Sequence, residues 1–129
     1  LAAGHRPCAE CQRARFNLFR EHWAAGNPEL TSDFRPLATS IDAVLHQERM
    51  GLRDVATSLN GLPDGTFLAD DLAAYLVFGG KLFRWTVGVY AKLNTTKITF
   101  PATILTPASV VRALRAGYPV DVHPSAFSD

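Results

Sequence analysis

Apolar residues recur at helical spacing through the first half of the chain and at closer to two-residue spacing afterwards. Cys8, Cys11, Phe16, Phe19 and Trp23 follow the first period. Pro7 precedes them as a first helical residue, where its missing N–H would be unpaired anyway. Gly26-Asn27-Pro28 stops the pattern. A second helix is expected from about Ser32, capped by Ser32 or Asp33, with the stripe Phe34, Leu37, Ile41 and Leu45, Val44 alongside, ending near Gly51.

After Arg53 the texture changes. Asn60-Gly61-Leu62-Pro63-Asp64-Gly65 is dense in turn formers, and Gly79-Gly80 separates two strand-like runs, Ala74–Phe78 and Lys81–Val87. Lys97–Leu105 is a third run, in which Pro101 points to an edge or a bulge. Thr106-Pro107 opens a short helix at about 107–116, closed by Gly117, and Val120–His123 is a candidate last strand. The expectation is an α+β fold of one domain over 1–129. Its helical part is 1–52 and its β-rich part 53–129. The N-terminal helical pair packs on a small antiparallel sheet or barrel, with one short C-terminal helix.

A length of 129 residues suits one domain, and no apolar run approaches the 18 or so residues of a membrane helix. No charged-then-apolar leader opens the chain, which reads as cytoplasmic; its start at Leu1 reads as a processed or truncated product. The Asn94-Thr95-Thr96 sequon is then a chance match. A net charge of +1 gives no global field for nucleic acid or anionic lipid. Charge is uneven, however: Arg6, Arg13, Arg15 and Arg20 outweigh Glu10 in the first twenty residues.

The distinctive chemistry is Cys8-Ala9-Glu10-Cys11. A bond between cysteines three apart closes almost no loop entropy, so these two make no disulfide scaffold, and in a reducing compartment they stay thiols. Thiolates with two residues between them can reach one Zn²⁺ ion, and a helix N-terminus with Arg6 and Arg13 nearby would favour thiolate over thiol. Three readings stand open: a metal-binding pair, two inert thiols packed under the first helix, or a redox pair. The last lacks the strand that precedes a thioredoxin-type motif.

Ala2-Ala3-Gly4-His5-Arg6-Pro7-Cys8-Ala9-Glu10-Cys11 resembles the second half of the Ada-type metal-binding domain of bacterial DNA methylphosphotriester repair proteins. That family carries a segment of the form Ala-Gly-aromatic-Arg-Pro-Cys-x-x-Cys. The resemblance covers about ten residues of 129 and implies that Cys8 and Cys11 are zinc ligands. In the family the other two ligands, one of them the methyl-accepting cysteine, lie upstream, before the point where this chain begins. There is no third cysteine, so methyl transfer to a third thiol is excluded in this chain. The whole looks like bacterial proteins sharing this zinc-knuckle-like opening. Further ligands would come from His5, His22, His46, a carboxylate, water or a second chain.

Asp42, His46 and Arg49 stand at i, i+4 and i+7 on the second helix. As a site, Asp42 would orient His46 as base or ligand, and Arg49 would hold an anion. As a surface, they are an ion network contributing a few tenths of a kcal/mol per pair. His123 and Ser125 make a poor nucleophile and base, because Ser125 lacks the strained elbow of a hydrolase serine. Tyr75, Phe83, Trp85 and Tyr90 alternate in the hairpin region, as cross-strand core pairs or as a stacking surface. Together these readings favour a zinc-binding module with a binding or structural role. The alternatives are a small metal-dependent hydrolase of esters or lactones, and an accessory domain touching nucleic acid through Arg13, Arg15 and Arg20.

Overall fold

The computed structural model describes residues 6–71, 73–86, 89–93 and 100–120, with 85–86 and 89–93 traced by their backbone. Three helices are present: α1 (Arg13–Gly26), α2 (Ala38–Met50) and α3 (Ala108–Arg115). Six strands are described: β1 (Val55–Ala56), β2 (Phe67–Ala69), β3 (Ala74–Phe78), β4 (Lys81–Thr86), β5 (Val89–Leu93) and β6 (Ala102–Ile104). They form one sheet in the order β1-β6-β2-β3-β4-β5, antiparallel at every pairing. The chain is α+β, with a helical pair first, then the sheet, then the short C-terminal helix.

The β3–β4 hairpin is set by its turn. Gly79 and Gly80 both take positive φ, +60° and +73°, the primed turn that matches the twist of paired strands. The register follows: Phe78 faces Lys81, Val77 faces Leu82, Leu76 faces Phe83 and Tyr75 faces Arg84. β6 lies between β1 and β2, with Leu68 opposite Ile104, and Pro101 precedes this strand instead of marking a sheet edge. The two short strands β1 and β2 and the following strand β5 are additions to the runs read from the sequence.

α2 starts later than its apolar stripe implied. Pro36 disfavours helical backbone at Arg35, and Leu37 is extended (φ −65°, ψ 147°) before the first helical turn. Phe34 and Leu37 therefore fall outside the buried face, at 90% and 69% exposure, while Ile41 and Leu45 are buried. α3 begins and ends as expected. Pro107 sits at its N-terminal boundary, and Gly117 (φ +110°) closes it. There Gly117 N–H donates to Leu114 O at 3.0 Å and Tyr118 N–H donates to Ala113 O at 3.2 Å, a Schellman closure.

Buried side chains gather in three clusters. Phe16, Phe19 and Trp23 of α1 and Ile41 and Leu45 of α2 are completed by Val110, Ala113, Leu114 and Tyr118, from α3 and its cap. Ala56, Leu68, Tyr75, Val77, Leu82 and Ala102 fill one side of the sheet; Leu76 and Phe83 fill the other. The immediate cover for the helical stripes is thus α3. The carboxylate of Glu48, from α2, accepts hydrogen bonds from the Ser109 N–H (2.9 Å) and the Ser109 hydroxyl, and so caps α3 from outside. Among the described residues no helix is long and apolar enough to cross a membrane. The Asn94 sequon, the Val120–His123 strand beyond Val120, and the part of the Lys97–Leu105 run before Phe100 lie outside the described residues.

Candidate functional site

Cys8 and Cys11 occupy a turn that precedes α1 instead of its first helical residues. Helical hydrogen bonding from Arg13 onward is led in by Gln12 N–H donating to Cys8 O at 3.1 Å and Phe16 N–H donating to Gln12 O at 2.8 Å. Both cysteines are free and exposed. The inert packed pair weighed above would need them buried.

Within the turn, Cys11 N–H donates to Cys8 Sγ at 3.2 Å. The Cys11 thiol also hydrogen-bonds this sulfur, and the backbone N–H groups of Cys11, Glu10 and Gln12 add to it. These donors bring the Cys8 thiol down to about 7 from an ordinary 9.0. Cys11 moves the opposite way, chiefly because its thiol is the donor to Cys8. The Cys11 thiol, with nearby N–H groups, thus takes over the part that sequence spacing gave to the helix dipole.

The turn is tethered on two sides. Arg6 grips Asp42 of α2 with a two-pronged hydrogen bond, Nε to Oδ1 at 2.8 Å and the second amino group to Oδ2 at 3.0 Å. Its guanidinium also lies over the Phe16 ring of α1, 5.1 Å from the centroid. The pair is partly exposed and contributes no more than ~1 kcal/mol; its consequence is position. A residue two before Cys8 is fixed against both α1 and α2.

This tether changes the Asp42–His46–Arg49 constellation. Both carboxylate oxygens of Asp42 face Arg6, so Asp42 does not orient His46, which is exposed and has no hydrogen-bond partner among the described residues. Arg49 is half-buried and engaged by contacts of its own. His22 hydrogen-bonds Leu18 O through Nδ1 at 2.9 Å and meets the Tyr118 ring edge-on. Among the described residues, no three His, Cys, Asp or Glu side chains are grouped for a metal ion, so neither His22 nor His46 joins the cysteine pair. His5, His123 and Ser125 lie outside the described residues.

The basic first helix does not offer one cationic face. Arg20 is drawn over Phe16, 5.2 Å from the ring centroid, Arg13 is exposed, and Arg15 projects nearly opposite Arg13 by helical phase. Tyr75 and Phe83 are buried in clusters on opposite sides of the sheet, so these two act as core. Missed from the sequence was Arg6 as the tether, because its partner lies 36 residues away. No protein-family model, curated protein or solved structure matches this chain.

Proposed function

We propose that Cys8 and Cys11 supply the thiolate half of a zinc site, and that the chain is a zinc-binding module with a binding or structural role. The observation that carries this reading is the hydrogen bond from Cys11 N–H to Cys8 Sγ. A thiolate ligand must be deprotonated, and donors from its own turn, the Cys11 thiol foremost and backbone N–H groups beside it, lower the Cys8 thiol toward that form without another charged side chain. Exposure of both sulfurs, and the tether through Arg6 to α1 and α2, fit a ligand pair held in place before metal arrives.

Two sulfurs fill half of a tetrahedral zinc shell. His5, three residues from Cys8, is the first candidate for another ligand; water or a second chain supplies the rest. Bound zinc would supply a cross-link joining the N-terminal segment to those ligands.

Elemental analysis of the purified protein tests the reading, beside Cys8→Ser, Cys11→Ser and His5→Ala variants. Zinc should be present, and lost in both serine variants. One zinc per chain is expected where ligands of the same chain or water complete the shell, and half that value where two copies share one ion. Zinc retained in both folded serine variants would overturn the assignment.

A further inference from the structure

The C-terminal end of α1 approaches α3 at a distance that only glycine permits. A Cβ on Gly26 would stand 2.4 Å from the carbonyl oxygen of Arg112. The next residue, Asn27, is buried, and its side-chain amide donates to Trp23 O at 2.8 Å and Ser109 O at 2.9 Å. With the amide protons committed, Oδ1 has a fixed direction, and it accepts from Arg112 Nε. A buried amide thereby sets the plane of a guanidinium on α3.

The rest of that guanidinium is unspent. Apart from Nε, the Arg112 side chain makes no hydrogen bond or ion pair among the described residues. It borders a cavity of about 290 Å³ that Gly26, Asn27, Pro28, Glu29 and Leu30 also line. Glu29 pairs with neither Arg112 nor any other described residue. One small cavity thus carries a cation and an anion that do not neutralise each other, beside the apolar surface of Pro28 and Leu30.

We infer that this cavity binds a free α-amino acid, Arg112 taking its carboxylate, Glu29 its ammonium, and Pro28 and Leu30 an aliphatic side chain. The planar donor fork of arginine matches a carboxylate. A simple anion would meet the charge of Glu29 and a simple cation that of Arg112, whereas a zwitterion satisfies both. The volume lies just below the usual range for drug-sized ligand sites, which suits a smaller molecule such as an amino acid. The inference is independent of the cysteine pair.

The test is titration of the full chain, followed by NMR, with glycine, L-alanine and L-leucine. L-leucinamide, which lacks the carboxylate, and 4-methylpentanoate, which lacks the ammonium, serve as controls. At least one amino acid should bind saturably, shifting the amides of Gly26, Asn27, Glu29, Leu30 and Arg112. For L-leucine, both controls should be at least about tenfold weaker. Glu29→Gln, a substitution at an exposed turn, should weaken amino-acid binding by a similar factor and strengthen binding of 4-methylpentanoate, which no longer meets a like charge. Arg112→Gln, which removes the charge, should abolish the preference for the carboxylate, and Arg112→Lys, which keeps it, should only reduce that preference. Absence of saturable binding for all three amino acids, equal binding of either control, or full binding in the folded Glu29→Gln protein would overturn the inference.

Discussion

At Cys8 one sulfur collects N–H donors from its own turn while its partner thiol is pushed the other way. In the metal-free protein the two thiols should therefore alkylate in different pH windows. Cys8 should react with iodoacetamide at a rate that rises through about pH 7, and Cys11 only above 9.0. Mass spectrometry of singly labelled protein at pH 7 should place the label on Cys8; equal labelling of both sites would contradict the asymmetry. His46 makes the opposite case. With Asp42 held by Arg6, His46→Ala should change stability by less than about 0.5 kcal/mol in chemical denaturation. Helical spacing placed Asp42 and His46 on one face, as they are, but spacing cannot show that a residue 36 positions earlier occupies the carboxylate. The thiol pair was legible because its chemistry is local to four residues.

At the scale of elements, the junctions with α3 hold what the sequence left unread. Gly26 read as a helix stop; its larger consequence is the close approach to Arg112, a long-range contact that periodicity does not encode. Gly26→Ala should cost roughly 1–3 kcal/mol, because backbone must shift to admit the methyl group. Glu48 looked like an ordinary helix-surface acid, yet it caps α3 through Ser109. Glu48→Ala should cost about 1 kcal/mol, in the range of a lost helix cap. Both values can be read from urea denaturation midpoints, and changes under a few tenths would remove these contacts from the account. The boundaries of α3 and the Gly79-Gly80 hairpin were legible because Pro and Gly act locally on φ. The start of α1 was misplaced because Pro7 is compatible with a turn as well as with a helix, and Cys8 to Gln12 forms that turn.

For the whole molecule, the order of elements matters more than their number. α1 and α2 come from the first fifty residues, but the helix that completes their buried cluster comes from 108–115. A fragment of residues 1–53 therefore lacks Val110, Ala113, Leu114 and Tyr118, and should give a largely unfolded circular dichroism spectrum; cooperative thermal unfolding of that fragment would contradict this packing. The α+β composition was readable from the switch in spacing. That α3 would close the helical cluster was not, since that depends on which faces meet. The central claim, a paired thiolate site ahead of α1, is tested most directly by titrating cobalt(II) into the metal-free protein and recording the thiolate-to-metal charge-transfer absorption. A saturating band of two-thiolate intensity is expected in the parent protein, about halved or absent in Cys8→Ser and in Cys11→Ser. No band in the folded parent, or one unchanged in both variants, would contradict it.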